Sequence, residues 1–192
     1  MDGSGSVGPY YKDIQRFVEA VTLKILMKCT KLDAAIVLFG ERATVEKHFS
    51  QKFSLPEFLS RLHRAVPLPF SRSMTHEGLR VTSEEVFPFS RKNASKIAIL
   101  ITDGMQTPPY NPFEAARKLK EQGVRLFAVG IGSFLKSYMA RFAERGEDVI
   151  VMEGFYQLVK VPPVNNLVRK VIAAVGKTIQ LLLMFITHNK NR

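Results

Sequence analysis

Apolar residues recur at helical spacing over residues 10–28, where Ile14, Phe17, Val18, Val21 and Ile25 are separated by Lys and Glu. A period near 3.6 marks an amphipathic helix, and Gly8-Pro9 supplies its start signal. The next run differs in kind. Ala34-Ala35-Ile36-Val37-Leu38-Phe39 is continuously apolar, the pattern of a strand buried on both faces. Gly40-Glu41-Arg42 interrupts it as a turn, and the alternation over Thr44–Phe49 adds a shorter strand, so the two predict a hairpin. Helical spacing returns over Leu55–Val66, with Pro56 in the first turn after Ser54, and Pro67-Leu68-Pro69 ends it.

Gly78–Val86 predicts a further, short-lived helical stretch. Lys96–Thr102 and Val124–Ile131 are the second and third continuous apolar strands. Between them, Pro112–Gln122 sets Phe113, Ala116 and Leu119 at helical spacing, and Gly123 supplies the stop. Leu135–Arg145 reads as a helix, Asp148–Met152 as a short strand near the sheet edge, and Leu167–Ile186 as one long final helix with Gly176 as a break point. Strands alternating with helices define the α/β class. The expected architecture is a doubly wound, mostly parallel sheet with one antiparallel edge strand and helices on both faces. Val161-Pro162-Pro163-Val164 is too short a linker to separate domains, and 192 residues suit one core.

Charge and cysteine content narrow the field of partners. The net charge is +11, and after Glu153 there is no acidic residue, whereas Lys160, Arg169, Lys170, Lys177, Lys190 and Arg192 are basic. Such a surface favours sulfated glycans or other anionic partners. The same residues also read as a solvated helix face, because apolar residues are interleaved with them. No nucleic-acid signature is present. The single cysteine, Cys29, excludes an intrachain disulfide and reads as a buried thiol. No signal peptide precedes the domain in this chain, and no apolar run reaches the roughly 18 residues of a membrane span.

Two segments carry candidate chemistry. Met1-Asp2-Gly3-Ser4-Gly5-Ser6 holds a carboxylate and two hydroxyls at alternate positions in a glycine-bearing stretch. Hard divalent cations such as Mg²⁺ prefer oxygen ligands. Lys96-Ile97-Ala98-Ile99-Leu100-Ile101-Thr102-Asp103-Gly104 is a buried-strand run that ends in an aspartate at its carboxyl end. Ligands of open α/β sheets gather at that edge.

Together, Asp2-Gly3-Ser4-Gly5-Ser6-Val7-Gly8, Ile101-Thr102-Asp103-Gly104 and the order of elements between and after them resemble the von Willebrand factor A domain, also called the integrin inserted domain. The flavour is that of matrilins and non-fibrillar collagens. The resemblance covers roughly residues 2–175, leaving 176–192 as a helix extension or tail. It implies a metal-ion-dependent adhesion site that holds Mg²⁺ (or Mn²⁺) through Asp2, Ser4, Ser6, Thr75 and Asp103. Ser4, Ser6 and Thr75 would touch the metal directly, and Asp2 and Asp103 would act largely through water. An acidic residue of a partner would complete the shell. The implied protein is an extracellular, non-enzymatic binding module for matrix proteins such as collagen, with glycosaminoglycan as a second kind of partner for the basic surface.

The chain departs from the family pattern in two places. Ser71-Arg72-Ser73-Met74 stands where the family has glycines before the threonine. Only Met1 remains of the hydrophobic central strand that precedes the acidic loop in the family. Either the chain is a fragment or another segment fills the gap. Gln180–Thr187 is apolar enough to substitute, although a helix extension or tail is the leading expectation for that stretch. Two other readings compete with adhesion: a metal-silent structural module of a matrix protein, and a nucleotide-binding enzyme using Gly3-x-Gly5-x-x-Gly8. The latter lacks the preceding strand that such a loop needs. Asn93-Ala94-Ser95 is a candidate N-glycosylation site. His48, His63, His76 and His188 show no metal-ligand spacing.

Overall fold

The computed structural model describes residues 10–29, 31–66, 74–104, 109–132, 136–175 and 180–187. Helix α1 (Tyr11–Leu26) buries Ile14, Phe17, Val18, Val21 and Ile25, the stripe that the spacing predicts. Strand β1 (Lys31–Phe39) turns into the shorter β2 (Ala43–Lys47), and the two pair antiparallel. Helix α2 (Leu55–Arg64) follows, with Phe58 and Leu62 inward. Helix α3 (Thr75–Val81) continues through a π-turn at Thr82–Val86. Strand β3 (Ser95–Thr102), helix α4 (Pro112–Glu121) and strand β4 (Val124–Ile131) complete the middle of the chain. Gly123 takes φ 76° after α4, the left-handed stop that glycine adopts without steric cost.

The carboxyl-terminal third departs from expectation in three ways. Among the described residues helix α5 spans Lys136–Ala140 and stops short of the expected Arg145, before β5 (Val149–Met152). Helix α6 (Val161–Val175) starts earlier than expected, because Pro162 and Pro163 fall in its first turn, where no backbone donor is missed. The expected continuation of that helix to Ile186 is not what the structure has. Gln180–Thr187 is strand β6.

Among the described residues the sheet has six strands, in the order β2-β1-β6-β3-β4-β5. All neighbours are parallel except the β1–β2 edge pair. This is the doubly wound order with its central place taken by the last strand of the chain. β1 leads outward to β2 on one side, and β3 leads outward to β4 and β5 on the other, so the winding reverses around β6.

Side-chain alternation divides the core in two. Ala34, Ile36 and Leu38 of β1, Ile97, Ile99 and Ile101 of β3, and Phe127, Val129 and Ile131 of β4 meet α1, α2 and α6 on one face. Ala35, Val37 and Phe39, with Ala98, Leu100, Leu126 and Ala128, meet α3, α4 and Met139 of α5 on the other. One row crosses four strands in register: Ile36, Phe185, Ile99 and Phe127, each fully buried in the first core. A fully buried large side chain contributes about 1.5–3 kcal/mol relative to exposure. Phe185 therefore ties β6 to both halves of the sheet.

Candidate metal centre

Of the sequence-predicted ligands, Thr75 and Asp103 lie among the described residues, Asp103 at the carboxyl end of β3 and Thr75 at the start of α3. Asp103 directly follows β3. Its carboxylate is half-buried, with Oδ1 out of solvent. The turn that presents it is closed by Thr102. The Thr102 hydroxyl accepts from the Gly104 N–H at 3.2 Å and donates to the Gly104 carbonyl at 3.0 Å, and the Thr102 side chain is buried. Asp103 thus stands at the apex of a three-residue turn, closed from side chain to backbone as threonine readily does. Position 102 carries no ligand in the family pattern, so the sequence alone did not single it out. Its signal is a hydroxyl at the end of an otherwise apolar strand.

Thr75 opens α3 and is buried, at 1% exposure. Met74, not Thr75, occupies the cap position, and no cap bond from its side chain is made. Two contacts hold the start of α3 against the edge. The Met74 N–H donates to the Gly40 carbonyl at 3.2 Å, just past the end of β1. The His76 ring stacks on Tyr110 at 4.3 Å and 16°, which joins the first turn of α3 to the segment entering α4. The loop after β1 and the loop after β3 are therefore bridged over the point where the winding reverses, the crevice position in open α/β sheets.

Electrostatics around α3 favour order. Arg80 donates to both carboxylate oxygens of Glu77 at 2.9 and 2.7 Å and to Glu84 at 2.6 Å. This holds Glu77 below its usual range, with the Arg80 hydrogen bonds as the main cause, and raises Arg80 in turn. At the far end of the sheet, Lys47 Nζ lies 3.6 Å from Asp33 Oδ1 and donates to the His48 and Gln51 carbonyls at 2.8 and 3.1 Å. Burial raises the Asp33 carboxyl and lowers the Lys47 ammonium, against their mutual attraction.

Asp2, Ser4 and Ser6 lie outside the described residues. Among the described residues, no group of three or more His, Cys, Asp or Glu side chains is gathered as a metal site. The predicted donors that are described are a buried hydroxyl, Thr75, and a half-buried carboxylate, Asp103. Their chemistry suits a hard cation that keeps several waters. Asn93 is exposed in the turn before β3, at the opposite edge. Arg169 and Lys170 lie on α6, where Arg169 bonds Asn166 and Lys170 bonds the Glu147 carbonyl, as befits a solvated helix face. Cys29 is a buried thiol outside any disulfide.

A doubly wound sheet with oxygen donors at its switch point defines a class of ligand-binding α/β domains. The family model of the von Willebrand factor type A domain matches residues 1–160, and the chain belongs to that family. Human integrin alpha-E is 28% identical over 144 residues, covering 71% of this chain and 12% of its own length. Human matrilin-1 is 25% identical over 177 residues, covering 88% of this chain and 34% of its own length. The chain thus spans a minor part of each of these relatives. Among solved structures, proximal thread matrix protein 1 from the mussel byssus, with a zinc-occupied MIDAS motif, aligns at TM-score 0.77 and 26% identity, covering 88% of this chain and 43% of that one. The manganese-loaded TRAP protein of Plasmodium vivax shares the fold at TM-score 0.60 and 22% identity, over 83% and 68% of the two chains. A domain of the integrin, collagen and matrilin type is one of adhesion or protein binding. No helix among the described residues is long and apolar enough to cross a membrane.

Proposed function

We propose that this chain is a metal-dependent binding module of extracellular-matrix type. In this reading, Thr75 and Asp103 contribute to a divalent-cation site together with Asp2, Ser4 and Ser6, and the ion is Mg²⁺ or Mn²⁺. The ion supplies an electrophile that accepts a carboxylate from a partner protein. Thr75 brings a neutral oxygen, and Asp103 brings charge from a rigid turn. A site dominated by neutral hydroxyls leaves the ion short of direct negative charge, which favours capture of an acidic side chain over catalysis.

The observation that carries the reading is the bridging of the Thr75 and Asp103 loops at the reversal of the winding, through Met74–Gly40 and His76–Tyr110. Support also comes from the relatives, which include an integrin, a collagen chain and a matrilin. The test is titration calorimetry with Mg²⁺ and Mn²⁺ on the full chain, on Asp103→Ala and on Thr75→Val. Saturable heat that is lost in both variants, with their folding intact, supports the site. A folded wild-type chain with no heat from either ion would leave only a metal-silent structural module. Collagen-coated surfaces then test whether adhesion follows the metal.

A further inference from the structure

Among the described strands, β6 alone pairs with both halves of the sheet. Lys31–Leu38 of β1 pair with Gln180–Thr187 on one side of β6, and Ser95–Ile101 of β3 pair with Leu181–Thr187 on the other. β1 and β3 pair with β6 and not with each other. Without β6, the β2-β1 ribbon and the β3-β4-β5 sheet would face each other across two rows of unpaired backbone groups. Buried backbone donors and acceptors must find partners, so the gap between β1 and β3 is a slot that demands a strand.

The slot is selective. Both walls are parallel to their insert, which fixes the direction of the strand. Phe185 fits the row between Ile36 and Ile99, so a one-residue slip would move it to the other face. Both walls precede α6 in sequence, whereas the insert follows it. Seating β6 between both walls therefore joins segments far apart in sequence. Pairing of this long-range kind carries a large loop-closure cost and is slow to form. Residues 176–179 alone connect the insert to α6.

We propose that β6 is an exchangeable strand and that the slot accepts β6 from a second copy of this chain, giving a strand-swapped dimer beside the monomer. The second copy is the occupant that the geometry specifies. Its β6 has the same length, direction and register, and it places the same Phe185 in the same row. Monomer and swapped dimer share every pairing within the sheet, so concentration during folding decides between them. This inference stands apart from the metal-site reading and survives its failure.

The test uses full-length chains with Cys29→Ala as background. One version carries Ala98→Cys in β3, and the other carries Met184→Cys in β6, positions that face each other in the register. The two are unfolded, mixed, refolded at about 1 µM and at about 100 µM, and oxidised, since mass action favours the dimer only at the higher concentration. Swapping is expected to give a disulfide between the two versions in the dimer fraction, rising at least fivefold between those concentrations (roughly, from the same mass action). A chain carrying both cysteines should close on itself in the monomer, which checks the register independently of exchange. Light scattering on the unmodified chain over the same range should show the matching dimer. A monomer at every concentration, a dimer without the mixed disulfide, or a doubly substituted monomer that fails to close would each overturn the proposal.

Discussion

Gly78 of α3 faces the ring of Phe39 at the end of β1: a Cβ built on Gly78 would stand 2.7 Å from both Cγ and Cδ1 of that ring. Phe39 is fully buried, so the ring has nowhere to retreat. The close approach presses the first turns of α3 onto the sheet edge beside Thr75. Gly78→Ala is expected to cost about 1–3 kcal/mol by overpacking, despite the better helix propensity of alanine. Urea denaturation checks it. An equally stable variant would show that α3 is free to lift from β1.

The buried Asp33–Lys47 pair gives a pH signature. Removing Lys47 takes away the attraction that opposes the rise in the Asp33 carboxyl, so in Lys47→Met the folded-state value climbs further above 3.8. A raised folded value means stability that is full below the unfolded value and is lost as pH rises through the folded one. Lys47→Met should therefore be destabilised by about 3 kcal/mol near neutral pH, where a buried charge is left unpaired. The deficit should shrink as pH falls toward 3.8. Adding Asp33→Leu should recover most of the neutral-pH loss. Melts of the single and double variants from neutral to acid pH decide it.

Glu77 carries the opposite sign. Its hydrogen bonds to Arg80 hold it below 4.5 in the folded state. A depressed value contributes stability above the unfolded value, and this is lost as pH falls through the folded one. Both side chains are partly exposed, at 25% and 40%, so the contribution is under about 1 kcal/mol. Glu77→Gln should lower stability at neutral pH by that amount and match the wild type in acid. A constant offset at all pH values would remove the ion pair as the cause.

The strands and the candidate edge were legible for different reasons. Lys96–Thr102 and Val124–Ile131 are largely apolar runs of strand length, the second flanked by Gly123 and Gly132, and β3 and β4 follow them closely. Gln180–Thr187 was ambiguous because a short apolar run has no period of its own to separate helix from strand. Its assignment is tertiary: the open backbone rows of β1 and β3 require it. Pro162 and Pro163 read as a linker, yet the first turn of a helix tolerates them, so α6 starts there. Asp103 was legible as a carboxylate at the end of a strand. The Thr102–Gly104 turn that fixes it was not, since a hydroxyl in a strand does not reveal which backbone groups it will meet.

That turn yields a test of how Asp103 is held. Thr102→Val keeps the shape of the side chain but removes both bonds to Gly104, leaving the buried Gly104 N–H without the hydroxyl it bonds. Leaving that buried donor unsatisfied costs about 1–3 kcal/mol of stability, less than the roughly 5–15 kcal/mol of a typical folded domain. Thr102→Ser retains the hydroxyl and serves as the conservative control. If the turn orients Asp103 toward a cation, metal affinity should fall about tenfold in Thr102→Val, equivalent to about 1.4 kcal/mol, and stay near wild type in Thr102→Ser. A purely structural role for Thr102 lowers the melting temperature and leaves the metal isotherm unchanged. Calorimetry with Mn²⁺ below the melting range of both variants separates the two outcomes, because the affinity is then read on folded protein alone.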